Sequence, residues 1–277
     1  MAIASSSSSS RPPPLQPQPL LVKVCGVTHP DDAAVASAAG ADLIGVIMWP
    51  KAKRAVTAAL AKEIGEAARK AAAGKEGETK NPLRGRSRSP SLVGVFVDES
   101  AEEIAKLAAE ADLDFVQLHG DRAREALPEL LAMTKKKTKS KEEEQGQGSG
   151  SSSHSFGVIF VITVGNDGVP KSKTPAQLCQ TDKPALLLVD GPAPGSGEAW
   201  DWRGLVEEKA ALVSQAEQES WLLAGGLHPG NVEGAVEALA PGGVDVSSGV
   251  CGEDGLRKDE GRVAAFVAAA RRKRKES

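Results

Sequence analysis

The chain has 277 residues, of which 40% are hydrophobic and 26% are charged, and its formal net charge is −3. A slightly acidic chain argues against a general nucleic-acid binder or a membrane-surface binder. No apolar run approaches the roughly 18 residues of a membrane span. Three cysteines, Cys25, Cys179 and Cys251, are too few and too scattered for a disulfide framework and have no CxxC metal spacing, which indicates a reducing compartment.

Residues 1–20 are rich in Ser and Pro, contain no acidic residue and include Arg11. They lack the apolar centre of a secretory signal. Transit peptides are Ser-rich and poor in acids, so an organellar address fits this segment, and so does a disordered tail. The segment is therefore treated as targeting or disordered, outside the folded domain.

Eight short apolar runs follow, and they alternate with helix-like stretches. This alternation predicts an α/β fold in which residues 21–272 form one domain, an eight-stranded (β/α)8 TIM barrel. In that architecture the chemistry lies at the C-terminal ends of the strands. The runs are Val22–Gly26, Leu43–Trp49, Leu92–Asp98, Asp114–Gly120, Gly157–Gly165, Ala185–Gly191, Trp221–Leu227 and Val244–Gly249.

The first helix is predicted to begin with Thr28 as its N-cap and to end near Gly40. Later helices are expected at about Thr57–Ala73, Ser100–Ala111, Asp121–Ala132 and Asp259–Arg271. Two stretches, 74–90 and 134–155, are charged or Gly/Ser-rich and aperiodic, and we predict disordered insertions there. The second joins a helix to the next strand, which would place it on the side of the barrel away from the chemistry. Residues 273–277 belong to a basic tail to which no function is assigned.

Cys25, Asp190 and His119 stand at predicted strand ends and are candidates for chemistry. Lys23 and Cys25 share one face of the first strand because side chains alternate. Asp190 ends a run of leucines, where a carboxylate is costly unless it is solvated or paired. It is either a functional acid or a cap for the following loop. In the same way, Cys25 and His119 fit either a reactive site or an ordinary buried position.

The last two strands lead into small-residue turns, which is where TIM barrels commonly bind phosphate. Glycines let the backbone approach an anion closely, and free backbone N–H groups with hydroxyls can hold it. The alternative is that these are only tight turns. The candidate phosphate ligands are Gly225, Gly226, Ser247, Ser248 and Gly249.

Six segments, taken together and in order, resemble phosphoribosylanthranilate isomerases, which act in tryptophan biosynthesis. The resemblance spans about Leu21 to Arg271 and is interrupted by the two insertions. The segments are Val22–Thr28, Ala39–Asp42, Gly94–Val97, Val116–Gly120, Leu223–Leu227 and Val244–Val250.

The resemblance implies a cofactor-free Amadori rearrangement of N-(5-phosphoribosyl)anthranilate to 1-(2-carboxyphenylamino)-1-deoxyribulose 5-phosphate. Cys25 matches the family's general base and Asp190 its general acid. Lys23 is the candidate cation that favours the Cys25 thiolate. The resemblance also makes Arg54 the ligand of the anthranilate carboxylate and gives His119 a substrate-contacting or orienting role.

The expected partner is a small phosphosugar, with no nucleic acid and no membrane. The chain is expected to be a monomer or a homodimer. The plastid stroma is the expected location, with the cytoplasm as the alternative.

Two departures from the family pattern stand out. Cys251 occupies a position where the family usually has Glu, and Glu198 stands where it usually has Lys, which is expected to weaken attraction to an anionic substrate. Another phosphosugar barrel, such as a ribulose-phosphate epimerase or an indole-glycerol-phosphate synthase, is the alternative enzyme. An epimerase would need metal-binding histidines at strand ends, where only His119 is expected, and a synthase would need a catalytic strand-end Lys plus a Glu, whereas strand-end lysines are absent. A non-catalytic phosphate binder would need neither Cys25 nor Asp190.

Overall fold

The computed structural model describes residues 20–73, 89–143, 154–192, 200–216 and 221–272. Eight parallel strands close into a barrel in the order β1 to β8, each paired with its neighbours in sequence and β8 paired with β1. The predicted (β/α)8 barrel is therefore confirmed. The strands are β1 Leu21–Val24, β2 Leu43–Ile47, β3 Ser91–Phe96, β4 Phe115–Leu118, β5 Gly157–Thr163, β6 Leu186–Asp190, β7 Trp221–Leu223 and β8 Gly243–Val246.

Helices connect the strands along the outside of the barrel. They are α1 Pro30–Ala39, α2 Ala58–Ala73, α3 Ala101–Glu110, α4 Asp121–Glu125, α5 Leu127–Glu143, α6 Pro175–Leu178, α7 Leu205–Val213, α8 Val232–Leu239 and α9 Glu260–Ala270. Short 3-10 turns lie at Trp202–Gly204 and Ser248–Val250. Within the described ranges, no helix is long and apolar enough to cross a membrane.

Two helix predictions were wrong in detail. The N-cap of α1 is His29 and not Thr28, because the His29 imidazole accepts the backbone N–H of Asp31 at 3.2 Å. The helix predicted at Asp121–Ala132 is interrupted at Ala126 and forms α4 and α5.

Helix α5 then continues to Glu143, inside the stretch predicted as an insertion. Residues 144–153 and 74–88 lie outside the described residues, and so do 1–19 and 273–277. The predictions of disorder, targeting or a tail for these residues stay predictions.

Side-chain alternation along the strands creates two apolar cores. One lies between the sheet and the helices, where Val22, Val24, Ile44 and Val46 pack with helix residues such as Ile64. The other fills the barrel interior. Its members are Leu21, Leu43, Val93, Ile159, Val161, Leu186, Leu188, Leu222 and Ala224. Residues of one parity in each strand therefore face the interior, and near the C-terminal strand ends these positions become polar.

Candidate active site

Cys25 and Lys23 lie together at the top of β1. Both side chains are buried and point into the barrel, where Gly45 of β2 leaves room for them. A methyl group at Gly45 would lie 2.7 Å from Cys25 Sγ and 3.1 Å from Lys23 Nζ. The cation expected beside the thiol is therefore present. The thiol and the ammonium form one polar group above the apolar interior.

Lys23 is fully buried and is paired with Asp245 of β8, with Nζ 3.0 Å from Oδ1. Burial opposes the charge on Lys23, but Asp245 and Cys25 outweigh it, and the pKa of Lys23 is raised above its ordinary value. Lys23 is therefore a permanent cation next to the candidate base. The sequence prediction missed Asp245, although its parity with Ser247 in the last strand would have placed it inside the barrel.

Asp190 ends β6 inside the barrel and is 5% exposed. Burial and, after it, the negative charge of Asp245 together raise the pKa of its carboxyl to about 7, although the Gly191 N–H, Lys23 and Arg124 oppose the rise. The rise was expected from the apolar run before it. Asp190 Oδ1 also accepts the backbone N–H of Gly191 at 2.9 Å. The carboxyl is therefore held in place and can carry a proton near neutral pH.

His119 follows β4, and its Nε2 lies 3.9 Å from Asp190 Oδ2, beyond hydrogen-bond distance. Burial, with Arg124 and Lys23 nearby, lowers the pKa of His119 to about 4. The imidazole is therefore neutral at physiological pH and faces the carboxyl as a dipole, not as a cation. Arg124, which sequence reasoning missed, donates to the Val161 carbonyl at 2.9 Å and braces this side of the barrel.

Arg54 reaches the mouth of the barrel from the loop after β2. Its Nη1 lies 3.6 Å from Cys251 Sγ and above Gly26, where a methyl group would be 2.9 Å from Nη1. Gly26 has a φ of +68°, which favours glycine. The same methyl group would lie 3.2 Å from Ser247 Oγ, so Arg54 and Ser247 flank the turn after the candidate base.

The turn after β7 has the backbone expected of an anion site. Gly225 and Gly226 have φ of +91° and +64°. Within the described part of the chain, their backbone N–H groups have no hydrogen-bond acceptor. Trp200 covers Gly225 and donates from Nε1 to the Ala224 carbonyl at 3.2 Å. Trp200 is a further residue that sequence reasoning did not assign to the site.

The turn after β8 lies beside it. Ser247 Oγ donates to the Cys25 carbonyl at 3.2 Å, which links this turn to the end of β1. A methyl group at Gly249 would collide with the Leu227 carbonyl, so the two turns touch. The five candidate phosphate ligands are thereby brought together at the barrel mouth. In the described ranges, no group of three or more His, Cys, Asp or Glu side chains could hold a metal ion.

Comparison with known proteins identifies the family of the chain. The family model described as N-(5'-phosphoribosyl)anthranilate isomerase matches residues 22–169 and 153–269. N-(5'-phosphoribosyl)anthranilate isomerase 1, chloroplastic, of Arabidopsis thaliana is 36% identical over 251 residues, which cover 91% of this chain and 74% of that protein. The isomerase of Roseiflexus castenholzii is 35% identical over 255 residues, covering 91% of this chain and 98% of that protein.

Solved structures give the same result. Phosphoribosyl anthranilate isomerase from Thermus thermophilus is 28% identical with a TM-score of 0.59, and the match covers 90% of this chain and 98% of that one. A second, in complex with reduced 1-(o-carboxyphenylamino)-1-deoxyribulose 5-phosphate, is 25% identical with a TM-score of 0.58 and covers 91% and 98%. The chain therefore belongs to the N-(5'-phosphoribosyl)anthranilate isomerase family.

Proposed function

We propose that this chain catalyses the Amadori rearrangement of N-(5-phosphoribosyl)anthranilate, an isomerisation in tryptophan biosynthesis, with Asp190 as general acid and Cys25 as general base. The observation that carries the proposal is the pairing of a buried carboxyl with a pKa of about 7 and a thiol beside a cation, both inside one barrel mouth. Groups whose environments separate their protonation states are suited to act as acid and base at one pH.

The reaction needs two proton transfers that these groups can perform. Asp190 donates a proton to the ribose ring oxygen, the bond from C1' to that oxygen breaks, and the lone pair of the anilino nitrogen forms the C1'–N double bond of an open-chain protonated imine. The Cys25 thiolate then takes the proton from C2'; the electron pair of that bond forms the C1'–C2' double bond of an enaminol, and the C1'–N double-bond pair returns to nitrogen. Tautomerisation of this enaminol places a proton on C1' and removes the proton of the C2' hydroxyl, which gives the ketone, so atoms and charge balance without a cofactor.

Lys23 supports the base in this scheme. Its ammonium lies beside the Cys25 thiol, and Asp245 holds the ammonium in place. His119 remains neutral and is placed to contact the substrate or to orient Asp190.

Two anionic groups of the substrate have candidate ligands. The Arg54 guanidinium can bind the anthranilate carboxylate through two parallel hydrogen bonds, which a lysine cannot provide. The phosphate is assigned to the turns after β7 and β8, with ligands Gly225, Gly226, Ser247, Ser248 and Gly249, because backbone N–H groups and hydroxyls meet there. These two sites would fix the reacting C1' and C2' atoms between Cys25 and Asp190.

The location and assembly of the chain are also proposed. The two Arabidopsis thaliana relatives are chloroplastic, which supports a plastid for this chain, with residues 1–20 as a targeting segment. We expect a monomer or a homodimer.

A steady-state assay on phosphoribosylanthranilate tests the proposal. The wild type should convert the substrate, and Cys25→Ala should lose about 10²- to 10⁴-fold in kcat, the usual contribution of a general base. Cys179→Ala is the matched control, since Cys179 lies on α6's C-terminal side, away from the barrel mouth, and should leave kcat unchanged. Conversion that survives Cys25→Ala would remove Cys25 from the base role, and no conversion by folded wild type would refute the activity.

A further inference from the structure

Lys258 is a buried lysine that the acid/base scheme does not use. It lies between the turn after β8 and helix α9, and it is 7% exposed. Its Nζ contacts the Cys25 carbonyl at 2.6 Å, the Ser247 carbonyl at 2.9 Å and Cys251 Sγ at 3.4 Å. An ammonium has three N–H donors, so each of them has one acceptor here.

None of these acceptors is a carboxylate. Across the described residues, Lys258 forms no salt bridge, whereas its neighbour Arg257 pairs with Asp32 at 2.9 Å. Burial lowers the pKa of Lys258, and Arg54 adds to this effect, while Cys251 and Cys25 oppose it. Burying an ammonium without a counter-ion costs free energy. We therefore expect a role that depends on where the Lys258 Nζ lies.

The Lys258 Nζ lies where the first strand, β1, pairs with the last strand, β8, and closes the barrel. Strands β1 and β8 pair as far as Val24 and Val246, and the last ladder contact is the Cys25 N–H donating to the Val246 carbonyl at 2.8 Å. Beyond this point the backbone ladder ends, and Ser247 Oγ donates to the Cys25 carbonyl at 3.2 Å. Lys258 bridges the two strand ends, because it donates to the carbonyl of the next residue on each strand.

The rest of Lys258 is held firmly. Its backbone N–H donates to Asp32 Oδ2 at 2.9 Å, so the first turn of α1 fixes the chain from which the side chain extends. The ammonium is therefore placed by one helix and holds two strand ends.

We propose that Lys258 is a positioning residue for the isomerase reaction, which fixes the backbone of Cys25 and of Ser247 and thereby orients the thiol and the phosphate turn together. The inference rests on the proposed roles of Cys25 and Ser247. Together with the Ser247 hydroxyl, the Lys258 ammonium fixes the distance between the base and the phosphate site, which has to match the separation of C2' and the phosphate in the bound substrate.

The test compares Lys258→Met with Arg257→Met. The first variant removes the bridge, and the second loosens the same segment from Asp32 without touching Cys25 or Ser247. Kinetic constants for phosphoribosylanthranilate, the inhibition constant of inorganic phosphate and the melting temperature are measured for both. We expect Lys258→Met to lower kcat by about tenfold or more and to raise the phosphate inhibition constant several-fold, since small displacements of reacting groups cost about 10²-fold.

Arg257→Met should lower the melting temperature and leave kcat within about twofold, because it acts on stability alone. Equal kcat losses in the two variants, or unchanged kcat in folded Lys258→Met, would overturn the proposal. Lys258→Arg, which keeps the cation and its donors, should recover part of the lost kcat.

Lys258→Gln keeps a side-chain donor without the charge, and it is measured instead if Lys258→Met does not fold. Lys258→Gln should lower kcat and raise the phosphate inhibition constant by smaller factors than Lys258→Met, and an unchanged kcat in Lys258→Gln would again overturn the proposal. Wild-type protein that fails to isomerise the substrate refutes the proposed function and, with it, the role of Lys258 in positioning Cys25 for that reaction. In that case, calorimetric binding of inorganic phosphate to wild type and to Lys258→Met still tests whether Lys258 holds the phosphate turn.

Discussion

Lys23 and Asp245 form an ion pair inside the barrel, with Nζ 3.0 Å from Oδ1 and the ammonium completely shielded from solvent. The two residues lie side by side in the β1–β8 ladder. The Lys23 ammonium lies beside the Cys25 thiol, and the Asp245 charge helps to raise the pKa of Asp190. One buried pair therefore acts on both the candidate base and the candidate acid.

Asp245→Asn should destabilise the barrel because it leaves the Lys23 ammonium buried without a counter-ion. Breaking one partner of a buried pair typically costs about 3 kcal/mol or more. Urea unfolding at pH 7 measures the free energy of unfolding. The double variant Lys23→Met/Asp245→Asn removes both charges and should be more stable than Asp245→Asn alone. A double variant that is less stable than the single one would show that the pair does not explain the loss.

Asp190→Asn should reduce kcat by about 10²- to 10⁴-fold, because the amide cannot protonate the ring oxygen. In the wild type, kcat/KM should fall as pH rises through about 7, where Asp190 loses its proton. The pH profile of kcat/KM checks this. A wild-type profile that stays flat from pH 6 to 9, or full activity in the variant, would remove Asp190 from the acid role.

The same substitution should change how stability depends on pH. The pKa of Asp190 is raised in the folded state, so its contribution is fully present below pH about 4 and is lost as pH rises through about 7. His119 acts in the opposite direction, because its lowered pKa makes stability rise between about pH 4 and 6.5. Asp190→Asn removes the first effect and keeps the second, so stability should rise more steeply with pH in this window than in the wild type. The free energy of unfolding in urea is measured at several pH values, and an equal pH dependence in Asp190→Asn and the wild type would contradict this prediction.

Arg54→Ala should raise KM by about tenfold to 10²-fold with a smaller effect on kcat, since it removes a charge-assisted contact to the substrate carboxylate. Arg54→Lys should recover little, because an ammonium cannot form the two parallel bonds. Lys53→Ala is the matched control, since Lys53 is exposed on the same loop. Steady-state kinetics would refute the assignment if Arg54→Ala and Lys53→Ala had the same KM.

Gly225→Ala should distort the turn after β7. A methyl group there would lie 2.7 Å from Trp200 Nε1 and 2.9 Å from the Gly191 nitrogen, and φ is +91°. Gly255→Ala separates the two causes: Gly255 also has a positive φ, of +66°, but nothing lies within 4 Å of its added methyl. Gly255→Ala should cost only about 1–2 kcal/mol of backbone strain. Gly225→Ala should lower the free energy of unfolding by more than Gly255→Ala does, and it should also weaken inhibition by inorganic phosphate. Equal melting temperatures of the two variants would refute this prediction.

The barrel fold and the placement of Cys25 and Asp190 were predictable from the sequence because both depend on local pattern. Apolar runs give the strands, and side-chain parity places Cys25 and Asp190 on inner faces at strand ends. Lys258 was not predictable in this way. It stands in the polar run Arg257-Lys258-Asp259, which reads as surface, and its acceptor at Cys25 is 233 residues away in sequence. Contacts of this kind exist only once β1 and β8 have closed the barrel.

The contact of Arg54 with Cys251 has the same origin, since 197 residues separate them. The sequence marked Cys251 as a departure from the family pattern but gave no neighbour for it. The structure places it between Arg54 and Lys258, so the thiol stands next to two cations.

Two of the helix-to-strand connections run from Ala73 to Ser91 and from Glu143 to Gly157, and the helix and strand ends that bound them belong to the end of the barrel opposite Cys25 and Asp190. A fluorescent reporter domain or an immobilisation tag joined within either connection should therefore leave turnover intact, which makes that end the natural place for attaching this protein to a sensor or a support.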